Sequence, residues 1–435
     1  MKKIMSLKEE FKIKDQILKH RLETLLKSLM DETGIDMWIV IGDEYNEGPC
    51  LKTLLPSTFF NARKQSIIIF YNTGDTVEKM IVSKPDFTIA EFYEPVLLKP
   101  PHFDFEVFYS TFATQYDLET IRALPVEDTY ECLNRIIKER NPKNIAINYS
   151  ELSPFSDGMS HTNYQHLKNN LDQSFHSKLI SSEQLTLRWL ETRTDLEMTY
   201  MKKVVDKTRE IIHKGYSRNI ITPGKTTIGD LRFYLMETAM SIGMVPWFDA
   251  TIWIRRIGHP HLEKDAEIIL EGDLLHCDFG VKYLGLCSDV QEMAYIKSIN
   301  DDALIHDYET VHSSCQRLQD LVIKNFKEGL TGNEILQNAL DEAKDIPGAM
   351  VYTHPIGFYG HGPGPTIGQF SNQTFVSGMG EYPLHNNTCY ALELCVRQYV
   401  KTLDMTILYG QEIDILFKNN HVVFFSGRQE KLHII

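Results

Sequence analysis

The sequence lacks the features of a secreted disulfide-rich protein or a membrane protein. Its seven cysteines are odd in number, have no C-x-x-C spacing and mostly lie in apolar runs, which favours buried, reduced thiols. No stretch approaches about twenty apolar residues, the length of a transmembrane helix. The lysine-containing N-terminus has no following apolar core of signal-peptide length, so we expect a cytoplasmic protein.

Positive charge is also scarce. The chain has 45 lysines and arginines against 59 aspartates and glutamates, which gives a formal net charge of −14. A nucleic-acid or anionic-membrane partner needs a basic face, and no basic cluster supplies one, so we expect neither partner. At 435 residues, of which 43% are hydrophobic and 24% charged, the chain has an ordinary globular composition and is long enough for two or three domains.

The first part of the chain predicts a small α/β domain. Residues 7–33 repeat apolar side chains close to the helical period, which indicates an amphipathic helix, and residues 118–140 predict helix with an interruption at Pro125. Short β-rich runs predict strands at residues 37–41, 66–71, 79–82 and 144–148. Because residues 181–183 are the least structured place, we predict two domains, residues 1–182 and residues 183–435.

The second domain predicts an α+β fold in which helix pairs alternate with groups of strands. Capping-box pairs, Thr194 with Glu197 and Thr331 with Glu334, mark two helix starts. Helical patterns cover residues 194–212, 227–242, 301–327 and 332–344. Strand patterns cover residues 251–254, 274–279, 293–296, 349–352, 389–396, 412–417 and 422–425. Since helix, helix, strands occurs twice, we expect two structurally similar halves.

Two aspartates in the middle of this domain are the first candidates for chemistry. The apolar run at residues 274–279 carries Asp278 near its end, and Gly280 and Gly285 permit a reversal that would return Asp289 beside it. Two close, buried carboxylates need cations or protons between them, because burial and mutual repulsion both disfavour charge. Asp next to Gly is also common in turns, so this pair alone does not decide between the two interpretations.

Two short motifs are shared with other enzyme classes. Asp278-Phe279-Gly280 matches the magnesium-binding DFG of protein kinases, but no Gly-rich loop, VAIK-like lysine or HRD loop precedes it, so we set a kinase aside. His259 and His261 form an HxH pair as in amidohydrolase barrels. Such a barrel needs a regular β/α alternation, which the predicted order does not provide.

Further carboxylates and one imidazole lie on or beside the predicted strands of this domain. Glu393 lies in an apolar strand, where an unpaired carboxylate would be strongly destabilising, whereas Glu412 alternates with isoleucines and by itself fits a solvent-facing position better. An oxygen-rich set with one imidazole suits Mn²⁺, Co²⁺, Fe²⁺ or Zn²⁺. The candidate set is Asp278, Asp289, His354, Glu393 and Glu412.

The order and spacing of these residues resemble the pita-bread metallopeptidases, which include methionine aminopeptidase, aminopeptidase P and prolidase. The resemblance covers residue 190 onward and rests on HPHLEKDAEIILEGDLLHCDFGVKYLGLCSD, then HPIGFYGH, then Glu393 and Glu412. The preceding α/β domain resembles the N-terminal domain of aminopeptidase P, prolidase and creatinase. The resemblance therefore implies a pita-bread fold behind a smaller α/β domain.

The resemblance also implies a set of roles. The five candidate residues would bind two divalent ions, Mn²⁺ in the first place and Co²⁺, Zn²⁺ or Fe²⁺ otherwise. Asp289 and Glu412 would bridge the ions, which share a water and lower its pKa. Glu393 would also transfer the proton of this water, and His261 and His361 match the family's non-ligand histidines, which would hydrogen-bond the substrate carbonyl. Larger members with this N-terminal domain are commonly dimers, so we expect a homodimer.

Several positions depart from the family pattern on the substrate side. Gln291 and Glu292 replace the usual Thr and Arg, Gly410 replaces an Arg of proline-specific members, and Met350 replaces a His of aminopeptidase P. The His-Glu-x-Pro and Glu-Pro-Gly patterns are replaced by His361-Gly362-Pro363-Gly364-Pro365 and by Glu393-Leu394-Cys395. We therefore expect a diverged Xaa-Pro aminopeptidase-like or prolidase-like peptidase. Two alternatives stay open: a non-catalytic scaffold that binds peptides or proteins, and a metal-dependent enzyme for a non-peptide substrate.

Overall fold

The computed structural model describes residues 3–83 and 87–435, and the chain divides into two compact units. One unit comprises Leu7–Leu190, and the other comprises Met1–Ser6 with Glu191–Ile435. The predicted domain boundary at residue 182 stays a prediction. All seven cysteines are buried free thiols, as their apolar surroundings indicated. Among the described residues no helix is long and apolar enough to span a membrane.

The N-terminal unit contains one mixed sheet with helices around it. Its strands are β1 (Met37–Asp43), β2 (Gln65–Asn72), β3 (Val77–Val82), β4 (Glu94–Val96), β5 (Ile145–Ile147) and β6 (Leu179–Ser181). They pair in the order β4-β3-β2-β1-β5-β6. β1 is buried along nearly its whole length, which explains its unbroken apolar run. The predicted strands of this unit are confirmed.

The helices of this unit are α1 (Leu7–Thr24), α2 (Leu26–Thr33), α3 (Gly48–Lys52), α4 (Phe105–Phe112), α5 (Leu118–Ala123), α6 (Thr129–Arg140), α7 (His161–Asn170) and α8 (Glu183–Glu191). The single helix predicted over residues 7–33 is broken at Leu25 into two. α5 ends just before Pro125, whose ring disfavours helical backbone at the preceding residue. The break at Leu25 has no such marker, and both halves keep the same apolar period.

The helices of the C-terminal unit are α9 (Asp195–Gly215), α10 (Ile228–Ser241), α11 (Asp302–Lys324) and α12 (Gly332–Glu342). Thr194 and Thr331 each form the predicted capping box. The strands are β7 (Val245–Pro246), β8 (Thr251–Arg256), β9 (His259–Leu262), β10 (Leu274–Phe279), β11 (Val281–Tyr283), β12 (Leu286–Cys287), β13 (Val290–Tyr295), β14 (Met350–Val351), β15 (His354–Pro355), β16 (Thr388–Ala391), β17 (Leu394–Val400), β18 (Met405–Gln411), β19 (Asp414–Lys418), β20 (His421–Phe424) and β21 (His433–Ile434).

These strands form several small sheets. One has the order β21-β13-β10-β8-β9, a second β15-β16-β19-β20, a third β12-β11-β7 and a fourth β14-β17-β18. A further bridge between Gln291 and Glu412 connects the first sheet to the junction of β18 and β19. The predicted order, in which each helix pair is followed by strands, is confirmed.

One predicted strand is divided between two sheets, and the strand β18 was not predicted. The run at residues 389–396 becomes β16 and β17, with Glu393 at the break, and Glu412 lies at the break between β18 and β19. The pairings of Leu394 with Gln411 and of Ala391 with Asp414 share one antiparallel register, which places Glu393 opposite Glu412. An alternating sequence pattern continues through both breaks, so the pattern did not reveal them.

The hydrophobic core of this unit lies between α11, α12 and the strands β17 and β18. Its fully buried members include Cys315, Leu318, Ile335, Leu394 and Ile407. The apolar side chains of α11 recur at helical spacing, so one stripe of this helix is buried while charged residues cover the other side. This packing supports the strands that carry the candidate site.

We expect Leu318→Ala to lower the free energy of unfolding by about 2–5 kcal/mol, because it removes a fully buried side chain and leaves a cavity. Urea unfolding followed by circular dichroism measures this loss. Ser313→Ala, on the exposed side of the same helix, is the control and should stay within about 0.5 kcal/mol of the unmodified chain. Equal effects of the two changes would contradict the packing described.

Candidate metal centre

The five predicted ligands come from four parts of the C-terminal unit. Asp278 lies near the end of β10, Asp289 directly precedes β13, and His354 is the first residue of β15. Glu393 and Glu412 lie at the two sheet breaks. All of these side chains are buried except Asp278, which is partly buried. Glu412 therefore faces inward, although its alternation with isoleucines also fitted a solvent-facing position.

The structure brings these side chains to one place. Asp289, His354 and Glu412 offer ligand atoms that all lie within 4.8 Å of one another. His354 Nε2 is 3.5 Å from Glu412 Oε1 and 3.8 Å from Asp289 Oδ2. Asp278 and Glu393 are linked through Gln291, whose Nε2 donates to Glu393 Oε1 at 2.7 Å and lies 3.5 Å from Asp278 Oδ2.

Several buried polar atoms in this cluster have no hydrogen-bond partner within the part of the chain that the structure describes. Such atoms are costly, because desolvation is not offset by any bond. A divalent ion of the Mn²⁺ to Zn²⁺ range would satisfy carboxylate oxygens and a neutral imidazole nitrogen together. The donor set therefore fits the predicted metals. The unpartnered atoms are Asp278 Oδ1, Asp289 Oδ1, His354 Nε2 and Glu412 Oε1.

The pKa values of these groups also indicate that their charges are not compensated by the protein. Burial raises the pKa of Asp278 to about 7, and burial together with the charge of Asp278 raises the pKa of Glu393 to about 8. Burial and the neighbouring carboxylates raise the pKa values of Asp289 and Glu412 well above their ordinary range. Burial lowers the pKa of His354 to about 3, so its imidazole is neutral, the form that binds metals.

A further acid, Asp414, was missed by the sequence analysis. It is fully buried, and its Oδ2 accepts the backbone N–H of Asp289 at 3.0 Å. Burial raises the pKa of Asp414 well above its usual range. The signal was present, because Asp414 lies two residues after Glu412 and alternating strand positions share a face.

His276 and Gln291 were also not identified as part of the centre. Asp278 is paired directly with Gln291 across β10 and β13, and His276 lies two residues before Asp278 on the same face. His276 Nε2 lies 2.9 Å from Gln291 Oε1, and the His276 ring stacks on Trp253 at 4.2 Å. A chain of contacts thus runs from Trp253 through His276 and Gln291 to Glu393.

Two departures from the family pattern belong together. A Cβ atom added at Gly410 would lie 3.1 Å from Gln291 Oε1 and 3.6 Å from His276 Nε2. A side chain at position 410 would therefore require the Gln291 amide to shift by a few tenths of an ångström. The glycine at this position gives the Gln291 side chain the space in which it contacts Glu393.

The two non-ligand histidines lie in different places. The His361 ring is 4.6 Å from the His354 ring at a near-perpendicular angle, so His361 adjoins the ligand set. The loop that carries it is held by the backbone of Cys287, which donates to Gly357, and by Lys282 Nζ, which donates to Phe358 at 2.8 Å. His261 is exposed, and its Nε2 lies 3.0 Å from a carboxylate oxygen of Glu263.

Aromatic side chains surround His361 and its approach to the ligands. Trp247 lies 5.3 Å and Tyr352 lies 6.2 Å from the His361 ring, and Phe370 lies 5.6 Å from Tyr352. The indole N–H of Trp247 donates to the carbonyl of Ser288 at 2.8 Å. A Cβ at Gly360 would approach the Trp247 ring to 2.3 Å, so only glycine permits this close contact.

The fold and the acidic centre together define the pita-bread class, here behind a smaller α/β unit. Residues 199–415 match the model of metallopeptidase family M24. The C-terminal unit of the chain therefore belongs to metallopeptidase family M24. The chain is also 27% identical over 180 residues to a putative Xaa-Pro aminopeptidase of Mycoplasma pneumoniae, a match that covers 40% of this chain and 48% of the relative. The match thus spans about half the length of this relative.

Solved structures share the fold along almost the whole chain. An X-Pro aminopeptidase of Thermotoga maritima MSB8 has a TM-score of 0.62 at 16% identity and covers 94% of this chain and 100% of its own. The N-terminal domain of the FACT complex subunit SPT16 of Cicer arietinum has a TM-score of 0.57 at 12% identity and covers 97% and 98%. The predicted fold is confirmed, and at these identities the likeness concerns the fold alone.

The raised carboxyl pKa values predict a stability that depends on pH in the metal-free chain. Glu393 has a pKa of about 8 in the folded chain, so it keeps its proton there at a pH at which the same carboxyl in the unfolded chain is already ionised. We therefore expect the stability of the metal-free chain to fall between about pH 7 and pH 8, by up to about 1.4 kcal/mol per pH unit for each such proton.

Urea unfolding in the presence of a chelator measures this dependence. Glu393→Gln should reduce the fall, because the amide does not titrate, and added Mn²⁺ should reduce it further by binding the ionised carboxylates. His421→Ala, an exposed change on β20, is the control and should keep the full slope. A stability that rises across the interval would contradict the raised pKa values.

Proposed function

We propose that the chain is a dinuclear-metal-dependent peptidase that hydrolyses the N-terminal peptide bond of Xaa-Pro substrates, in the manner of a Xaa-Pro aminopeptidase or prolidase. The observation that carries the proposal is the convergence of Asp289, His354 and Glu412 within 4.8 Å, beside Asp278 and Glu393. Family membership and the likeness to an X-Pro aminopeptidase fold support the reaction class.

The five ligand side chains would hold the metal ions, with Mn²⁺ as the proposed metal and Co²⁺, Zn²⁺ or Fe²⁺ as the alternatives. When bound, such a pair of ions polarises the scissile carbonyl and lowers the pKa of a water molecule toward neutrality. Unpartnered oxygens on Asp278, Asp289 and Glu412 support this assignment. Without cations these buried carboxylates would repel one another.

In the proposed reaction Glu393 transfers protons and His361 donates to the substrate carbonyl. The Gln291 amide fixes one oxygen of Glu393, so its carboxylate keeps a defined orientation in which it can take a proton from water and give it to the leaving amine. His361 adjoins His354 on the accessible side of the centre, where it can donate to the carbonyl oxygen as negative charge develops there. His261 is exposed and would contact only the outer part of a bound peptide.

The surroundings of the centre fit a peptide with an apolar second residue. Tyr352, Phe370 and Trp247 offer aromatic surfaces on which a pyrrolidine ring can pack, and the acidic ligand set attracts a protonated amino terminus. Gly410 stands where proline-specific family members carry an arginine, so specificity for proline is a separate part of the proposal, which a panel of Xaa-Pro and other peptides tests. We further propose a cytoplasmic homodimer, on composition and resemblance alone.

Metal binding tests the first part of the proposal. We expect calorimetric titration of the metal-stripped chain with Mn²⁺ to show two ions per chain, and Asp289→Asn to lose them, because the variant removes an anionic ligand at the centre of the cluster. His421→Ala is the control. If Mn²⁺, Co²⁺, Fe²⁺ and Zn²⁺ all fail to bind at this centre, the chain is a non-catalytic scaffold of this fold and the peptidase proposal fails.

Turnover tests the second part. We expect His361→Ala to lower kcat on Xaa-Pro peptides by about 10²–10³-fold, the usual cost of losing a donor to the developing oxyanion, while both metals stay bound. Metal content by mass spectrometry and peptide cleavage are measured on the same sample. Loss of the metals together with activity would refute the separation of ligands from His361. Cleavage of a non-peptide amide with no cleavage of any Xaa-Pro peptide would favour the alternative substrate.

A further inference from the structure

A second cluster of metal-binding side chains lies outside the acidic centre. It consists of His213 near the end of α9, Glu292 in β13 and His433 in β21, and their ligand atoms all lie within 4.8 Å of one another. Both imidazoles converge on the same carboxylate oxygen: Glu292 Oε2 is 2.8 Å from His213 Nε2 and 2.5 Å from His433 Nε2. The two rings are near neighbours, with centroids 4.7 Å apart.

This cluster and the acidic centre use opposite faces of one strand. Gln291 and Glu292 are consecutive in β13, and consecutive strand residues point to opposite sides of a sheet. Gln291 contacts Glu393 of the acidic centre, whereas Glu292 contacts the two histidines. The two sites are therefore separate, although both depend on the position of β13.

The second carboxylate oxygen of Glu292, Oε1, is bound by an arginine that fixes the side chain. Arg209 Nε donates to Glu292 Oε1 at 2.6 Å, and Arg209 Nη1 donates to the carbonyls of Ser426 and Gly427. Burial alone would raise the pKa of Glu292, but the hydrogen bonds from the histidines and the charge of Arg209 hold it well below its ordinary value. The Glu292 carboxylate is thus ionised and held in one orientation. In known metal sites, residues that hydrogen-bond to a metal ligand have the same effect on that ligand.

The cluster is open to solvent on the side of the histidines. Glu292 is 1% exposed, whereas the side chains of His213 and His433 are 43% and 28% exposed. A surface cavity of about 370 Å³ lies beside it and is lined by Asp206, Arg209, Glu210, His213, Lys214 and Ser426. An ion can therefore reach the three ligand atoms without unfolding of the chain.

We propose that His213, Glu292 and His433 form a second binding site, for one divalent transition-metal ion of the kind that imidazole prefers, such as Zn²⁺, Co²⁺ or Ni²⁺. Two histidines and one carboxylate are a known ligand set for such ions. In a tetrahedral site with bonds of about 2.0–2.1 Å, ligand atoms lie about 3.3 Å apart. To reach this spacing from Glu292 Oε2, the imidazole of His213, now at 2.8 Å, needs to move outward by about 0.5 Å and that of His433, now at 2.5 Å, by about 0.8 Å.

An ion at this site would connect three elements. His433 is the third residue from the C-terminus, and β21 pairs with β13 through only two residues, Ala294 with His433 and Tyr295 with Ile434. An ion shared by His213, Glu292 and His433 would fasten this short strand to α9 and β13. The site thus stabilises the C-terminal end of the chain against detachment, and it goes beyond the proposed peptidase activity.

The test separates the second site from the acidic centre by substitution. In an Asp289→Asn background, equilibrium dialysis against Co²⁺ with metal analysis should find one ion per chain, and its visible absorption should show mixed nitrogen and oxygen ligands. Adding His213→Ala and His433→Ala should remove this ion. The matched control adds His306→Ala and His421→Ala, two exposed histidines elsewhere, and should keep it. Circular dichroism of the metal-free variants checks that each one is folded.

Three outcomes decide the inference. The inference is supported if the chain binds one ion, loses it when His213 and His433 are replaced by alanine, and keeps it in the control. It is also supported if Glu292→Gln, a smaller change, binds the ion at least about tenfold more weakly than the unsubstituted site. No ion in the Asp289→Asn chain, or an ion that persists after loss of both histidines, overturns it. If the acidic centre binds no metal at all, the unmodified chain shows the same single site, so failure of the peptidase proposal is seen separately.

Discussion

The mutual repulsion of buried carboxylates is the constraint on which the C-terminal unit depends. Asp289, Glu393, Glu412 and Asp414 are all withdrawn from water, and burial raises the pKa of each of them. Neighbouring carboxylates raise the pKa values of Asp289 and Glu412 further, and no described side chain brings a cation to the unpartnered oxygens. Such an arrangement is destabilising unless protons or metal ions are present. The carboxylate cluster lowers the stability of this unit, whereas the well-packed core of α11, α12, β17 and β18 raises it. Strongly perturbed ionisable groups that are held together in this way are typical of functional sites.

The sheets impose this proximity. Glu393 and Glu412 are opposite residues of one antiparallel register, at the level where both strands pass from one sheet to another, and the bridge from Gln291 to Glu412 brings β13 to the same level. The proposed metal ligands Glu393 and Glu412 are thus positioned by backbone pairing, which is more rigid than a loop and keeps these carboxylates together against their repulsion.

The departures from the family pattern are concentrated around β13 and have structural partners of their own. Gln291 contacts His276 and Glu393, and a Cβ at Gly410 would lie 3.1 Å from its Oε1, so the residues at positions 291 and 410 are close neighbours. Glu292 is matched by Arg209, His213 and His433 on the other face.

Much of this was determined by the sequence itself. Apolar periods and capping boxes predicted α9 to α12 and most strands. The order and spacing of five residues predicted the ligand set that is proposed here: Asp278, Asp289, His354, Glu393 and Glu412. These signals are local or depend on chain order, which a sequence states directly. Asp414 was within reach of the same alternation, since it shares a strand face with Glu412.

Only the tertiary structure decided the rest. Strand register between distant segments decides three features: the inward orientation of Glu412, the break between β16 and β17, and the position of Glu393 opposite Glu412. No local sequence pattern specifies this register. The same holds for the meeting of His213, Glu292 and His433, which are up to 220 residues apart in the chain. Contacts of this kind arise from packing of the whole unit, so the sequence supplies the residues and the fold alone determines which of them meet.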